Sequence, residues 1–232
     1  LGQVYGEMEA NAALVAALSC DTPSAFFEGL KGSQELSRWF PEVEALIGVD
    51  HGTQHHPEGD AWNHAMLCLD RARRADLDCS QVEMLAVLGH DLGKALIPRE
   101  AWPKMYGHDK LGEAPIRAFC RRLGLDALAE EMVLAARLHH KVHSLRVMRP
   151  ASVLALIHEV RSTTLGVEGL ARVCQADAQG RGGAKAHEPY FEGQLLLRAT
   201  RAMDGATPAN WTGTPDHLRQ IQVDAIRTVL AE

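Results

Sequence analysis

The chain is 232 residues long, 46% hydrophobic, 23% charged and 5% aromatic, with a formal net charge of −6. That length carries one large domain, or one domain with a small appendage, and the charge excludes a globally basic nucleic-acid-binding surface. No apolar run approaches the ~20 residues that cross a bilayer, so no membrane partner is expected. The five cysteines (Cys20, Cys68, Cys79, Cys120, Cys174) form no CxxC pair. They read as reduced, mostly buried thiols of a cytoplasmic protein, with no zinc knuckle. The chain begins at Leu1 rather than Met, which fits a piece of a longer polypeptide, and it shows no charged-then-apolar leader.

Ala and Leu dominate, and apolar residues recur at three and four positions almost everywhere, so the expected fold class is all-α. The pattern predicts helices over 5–18, 23–31 and 33–47, the last broken by Pro41, as a helical extension covering 1–49. A second unit over 50–232 holds predicted helices at 61–75, 80–91, 109–123, 126–142, 150–161, 167–179, 188–203 and 215–230. Asp60 stands where an N-cap belongs, Ser80 and Glu83 have capping-box spacing, and Thr214-Pro215 opens the last helix. The stretches GVDHGTQHHPEG (48–59) and GRGGAKAH (180–187) read as polar loops.

Four predicted helices place an ionisable group among apolar neighbours: His64 in AWNHAMLCL, His90-Asp91 ending MLAVLGHD, His139 after EMVLAARL, and Asp177 in LARVCQAD. An unpaired buried carboxylate is costly, so it shifts its pKa or finds a partner. Neutral imidazoles with carboxylates suit a divalent cation, and facing helices of a bundle build such sites. A lone histidine on an apolar face is more often a hydrogen-bonded core residue than a ligand, and Asp177 alone reads as a helix-end or loop residue; their order H…HD…D favours a joint role. Lys94 reads either as a phosphate-binding point charge or as a cation against a helix C-terminus. Asp60 either caps its helix or orients His64.

The order H…HD…D resembles the HD-domain metal-dependent phosphohydrolases. HHPEGDAWNH (55–64), GHDLGKALIP (89–98), WPKMYGHDKLG (102–112), RLHHKVHSL (137–145) and ADAQGRGG (176–183) resemble the C-terminal HD domain of bacterial tRNA nucleotidyltransferases, the CCA-adding enzymes. Residues 26–49 resemble the helical segment preceding that domain. The resemblance implies a catalytic divalent ion on His64, His90, Asp91 and Asp177. It implies a second ion, where there is one, on His108 and His139 with Asp91 bridging, and His140 as a further candidate. Mg, Mn, Ni or Co are the metals it implies, and 2′,3′-cyclic nucleotides, 2′-nucleotides and other phosphomonoesters are the substrates. Met105-Tyr106 depart from the His-His of many relatives, and no Gly-rich strand-turn with a paired-Asp motif is present to add CCA.

Under this reading Asp91 is catalytic through the metal that activates water, and Lys94 and Arg181 neutralise phosphate oxygens. The expected partner is a small nucleotide or phosphomonoester, with the 3′ end of a tRNA as a larger possibility. His51, His55, His56, His143, His158, His187 and His217 are expected to be mostly surface or structural, with His56 and His143 lining the pocket. Two rivals stand beside it. HDLGKALIP also resembles cyclic-di-GMP phosphodiesterases, but KVHSL follows the histidine pair where GYP would be expected. The other rival is a non-catalytic RNA- or partner-binding module.

Overall fold

A computed structural model describes residues 7–54 and 56–232; His55 and the first two residues of the predicted 5–18 helix lie outside the described residues. Among these the fold is all-α, with one isolated antiparallel bridge between Asp50 and Asp60. The helices are α1 Glu7–Leu18, α2 Ser24–Gly32, α3 Leu36–Trp39, α4 Pro41–Glu44, α5 Ala61–Ala72, α6 Gln81–Gly89 and α7 His108–Leu111. They continue with α8 Glu113–Arg122, α9 Ala129–His143, α10 Pro150–Arg161, α11 Gly166–Gln179, α12 Glu192–Gly205 and α13 Pro215–Leu230.

The start signals act as expected. Asp60 accepts from the Asn63 N–H at 2.9 Å. Ser80 and Glu83 form the reciprocal capping box of α6, and Thr214 caps α13 with Pro215 at its first turn. Three predicted helices break differently. The 33–47 segment yields only α3 and α4, because Phe40 leaves helical geometry at φ −136° before Pro41. The 109–123 segment divides at Gly112. Most consequentially, α6 stops at Gly89, so His90 caps it and Asp91 lies beyond it, followed by a 3₁₀ turn over Leu92–Leu96.

α5, α6, α9 and α11 pack on one another as the central layer, and α12 and α13 back it from the α10–α11 side. Trp62, Leu69, Leu85, Leu138 and Leu170 are fully buried within it, each worth ~1.5–3 kcal/mol of apolar transfer for a Leu-sized side chain. The N-terminal helices join the same core. Phe40 packs edge-on against Phe27 at 5.6 Å between centroids and reaches Phe119 of α8 at 6.2 Å. Four of the cysteines are buried thiols and Cys20 is exposed. No helix among the described residues is long and apolar enough to cross a membrane.

Candidate metal centre

The central helices aim their ionisable groups at one point. His64 comes from the first turn of α5, His90 and Asp91 from the end of α6, His139 from α9, Asp177 from α11, and His108 opens α7. All six are at least nine-tenths buried.

Backbone carbonyls orient the imidazoles. Because a carbonyl only accepts, the contacts of His90 Nδ1 to Val87 O (2.7 Å), His108 Nδ1 to Met105 O (2.5 Å) and His139 Nδ1 to Ala136 O (2.7 Å) put the hydrogen on Nδ1. In its neutral form each ring therefore points an Nε2 lone pair inward. His64 is oriented in the same sense by a carboxylate: its Nδ1 lies 2.9 Å from Glu58 Oε1.

The inward atoms form two sets that share Asp91. In the first, His64 Nε2 lies 3.0 Å from Asp177 Oδ1 and 3.7 Å from Asp91 Oδ2. His90 Nε2 lies 3.2 Å from Asp91 Oδ2 and 3.8 Å from Asp177 Oδ1. In the second, Asp91 Oδ1 lies 3.2 Å from His108 Nε2 and 3.8 Å from His139 Nε2, and the two nitrogens are 3.5 Å apart. Two ligands ~2.1 Å from one octahedral ion and at right angles lie about 3 Å apart, and opposite ones about 4 Å. Both sets fall in that range. Among the described residues, His90 Nε2 and Asp91 Oδ1 are buried without a hydrogen-bond partner, a cost of ~1–3 kcal/mol each that a cation would remove. The donor set, two imidazoles with two carboxylates, is one a divalent ion could occupy.

The electrostatics agree. Burial raises Asp91 and Asp177, but the histidines and lysine around them outweigh it and hold both carboxyls well below their usual range. Burial lowers His64, yet the Cys68 sulfur and the Asp177 and Glu58 carboxylates lift it well above an ordinary imidazole. His139, pushed well down by burial and by His90, stays neutral. Burial lowers His90 too, but the Asp91 and Asp177 carboxylates outweigh it and raise the ring, so the core favours added positive charge beside His64 and His90.

Of the other expected residues, Lys94 is buried on the 3₁₀ turn rather than at a helix C-terminus. Its ammonium lies 2.6 Å from Asp91 Oδ2 and 3.0 Å from His51 Nδ1. Arg181 lines a cleft of about 520 Å³ beside the centre, together with His51, His56, Lys94, Met105, Tyr106, His108 and His140. His140 lies beside His108, with ring centroids 4.8 Å apart. His143, expected to line the pocket, holds a carboxylate of the cluster: its Nε2 donates to Asp177 Oδ2 at 2.6 Å while its Nδ1 accepts from the Tyr190 hydroxyl at 3.0 Å. That bond occupies Oδ2 and leaves Oδ1 for His64 and His90.

Three features escape the sequence reading. Asp60 is the cap of α5 and does not orient His64; Glu58 does, and its carboxylate also accepts from His56 Nδ1 at 3.0 Å and from the Gly182 N–H at 2.9 Å. Only the HPEG tetrapeptide, with a carboxylate six residues before His64, could have signalled it. Cys68 follows His64 by one turn and packs its sulfur 3.5 Å from His64 Nε2. Gly93 does not end a helix. A Cβ there would sit 2.0 Å from His108 O and 2.5 Å from Gly112 N, so its bare backbone lets α7 approach closely enough to deliver His108.

An HD-domain family model matches residues 61–161, which contain His64, His90, Asp91, His108 and His139. The chain is similar to the multifunctional CCA proteins of Laribacter hongkongensis (40% identity, 81% of this chain, 46% of that protein) and Methylococcus capsulatus (37%, 80% and 44%). The corresponding protein of Chromobacterium violaceum is 35% identical over 94% of this chain and 54% of its own length. The chain spans about half the length of the curated relatives it matches. The chain thus carries an HD domain over residues 61–161 and is homologous to part of the multifunctional CCA proteins.

Proposed function

We propose that this chain is a metal-dependent phosphohydrolase that cleaves small nucleotides, 2′,3′-cyclic phosphodiesters and phosphomonoesters foremost. The observation that carries the reading is the divided Asp91 carboxylate, with one oxygen facing His64 and His90 and the other facing His108 and His139. His64, His90, Asp91 and Asp177 would hold one divalent ion, and His108, His139 and Asp91 a second. Bound there, such ions supply Lewis acidity, lowering the pKa of a coordinated water and neutralising phosphate charge.

The chain's own residues supply the rest. The Nδ1–H bonds to carbonyls keep three rings in the ligating tautomer, and Glu58 does the same for His64. Tyr190 and His143 fix the rotation of the Asp177 carboxylate. Lys94 and Arg181 place positive charge in the cleft for the non-bridging oxygens, the lysine as a point charge and the guanidinium as a planar fork. The cleft is open enough for a nucleotide. The name of the relatives, multifunctional CCA protein, makes a tRNA 3′ end the larger substrate to test.

The experiment is a metal analysis of the purified chain and assays on 2′,3′-cyclic AMP and a chromogenic phosphomonoester with Mg²⁺, Mn²⁺, Ni²⁺ and Co²⁺. Turnover with at least one metal, abolished by Asp91→Ala, is expected. No turnover with any would refute the function, and turnover surviving Asp91→Ala would refute the site.

A further inference from the structure

His51 lies in a polar loop, yet it is 95% buried, at 5% relative exposure, on the wall of the cleft. Its ring is held by two neighbours. The His56 ring stacks on it at 3.6 Å between centroids and 16° between planes. His56 is itself tied to Glu58, and Lys94 donates to His51 Nδ1 at 3.0 Å. An ammonium has no acceptor to offer, so Nδ1 uses its lone pair there and the hydrogen of the neutral ring sits on Nε2. That Nε2 has no partner, and neither does the buried Nε of Arg181 in the same cleft, among the described residues. An unmatched buried N–H is destabilising, and a phenyl ring could fill the same stack without it. Two unpartnered N–H donors lining one cleft with the Lys94 ammonium make a site for an oxyanion.

The stack is ill-suited to metal, although His51, His56 and Glu58 lie close enough to be considered a donor group. Parallel rings direct their nitrogen lone pairs side by side, not towards one point, and Lys94 already occupies His51 Nδ1. Glu58 accepts from His56, from His64 and from the Gly182 N–H. One carboxylate therefore sets the position of the His51 stack and of the loop carrying Arg181 against the metal centre.

From this geometry we propose that His51 is a further substrate-binding residue, donating its Nε2–H, with Arg181, to phosphoryl oxygens of the bound nucleotide. The assignment deepens the phosphohydrolase reading and rests on it for the substrate's identity. Its test does not depend on turnover. Inorganic phosphate is titrated by calorimetry into metal-loaded wild type, His51→Phe and His51→Gln, with bound metal measured in each. His51→Phe is expected to weaken phosphate binding about tenfold, the loss of one charge-assisted hydrogen bond. His51→Gln, whose amide N–H can replace the donor, is expected to recover most of it, with metal content unchanged in both. If turnover is detected, the KM for 2′,3′-cyclic AMP rises in parallel in His51→Phe. Unaltered phosphate binding in His51→Phe, or binding lost only in step with metal, overturns the proposal. Should His51→Phe fail to fold, ¹⁵N-imidazole spectra of wild type decide: phosphate is expected to shift the His51 Nε2–H resonance, and an unmoved resonance overturns it. Wild type that binds phosphate through His51 but hydrolyses nothing refutes the phosphohydrolase reading and leaves this one standing.

Discussion

Replacing Glu58 by Gln tests whether a loop residue, rather than a helix, orients the metal centre. The side chain is 2% exposed, with Oε1 accepting from His56 and His64 and Oε2 from the Gly182 N–H. A glutamine has one acceptor atom. Its less costly orientation keeps both histidines on oxygen and turns its NH₂ against the Gly182 N–H, leaving two donors face to face. One lost charge-assisted bond with an unsatisfied buried donor costs about 2 kcal/mol, which for a chain of this size lowers Tm by about 4–8 °C. Removing the negative charge also makes His64 a weaker base, and loss of such a supporting partner typically costs ~10–100-fold in metal affinity. Calorimetric titration with Mn²⁺ or Co²⁺ reads the affinity and thermal unfolding reads the stability. The pH dependence supplies a control. Burial raises the Glu58 carboxyl, but the bonds from His56, His64 and the Gly182 N–H outweigh it and hold it well below the usual range. A depressed carboxyl stabilises fully above its unfolded pKa, and that stabilisation is lost as pH falls through the folded value. The gap between wild type and Glu58→Gln should therefore be widest near neutrality and close in acid. Equal metal affinity and equal Tm at pH 7 would refute the role assigned to Glu58.

Gly93→Ala places a methyl against His108 O and Gly112 N; the backbone must give, at about 1–3 kcal/mol. The expected result is a lower Tm and loss of the His108-side metal equivalent, read by elemental analysis, with the His64-side equivalent retained. Glu83→Gln loosens the carboxylate that accepts from the Ser80 N–H at 3.0 Å and from Arg172 at 2.6 Å. It should destabilise by ~1–3 kcal/mol at pH 7. Burial raises Glu83, but Arg172 and the Ser80 N–H outweigh it and lower its pKa, so the difference should fade below about pH 4.5 in acid denaturation curves. Chelation of the loaded protein should lower Tm by about 5–10 °C if ions are present at ~100 times their Kd; an unchanged Tm would show that the buried donors need no cation.

The cluster of candidate ligands was legible because His64, His90-Asp91, His139 and Asp177 each interrupt an apolar helical face, and burying an ionisable group there demands a reason that a local pattern displays. The helical class, the caps at Asp60, Ser80 and Thr214, and the buried thiols were legible on the same local grounds. The end of α6 was not. GHDLGK continues a helical spacing, and the chain leaves it at Gly89 because Gly93 must lie against α7. The partners of the candidate ligands were hidden for a different reason. Glu58 meets Gly182 across 124 residues, and His143 meets Asp177 and Tyr190 across 34 and 47; no periodicity links a loop carboxylate to a distant amide. His51 looked like a solvated loop residue because nothing beside it in sequence is apolar. Sequence alone therefore determined which ionisable residues stand out as candidate ligands and near which helices they lie. The tertiary structure decided which tautomer each ring holds, which oxygen of each carboxylate stays free, and which loop closes over the centre, since those follow from hydrogen bonds between segments that only folding brings together.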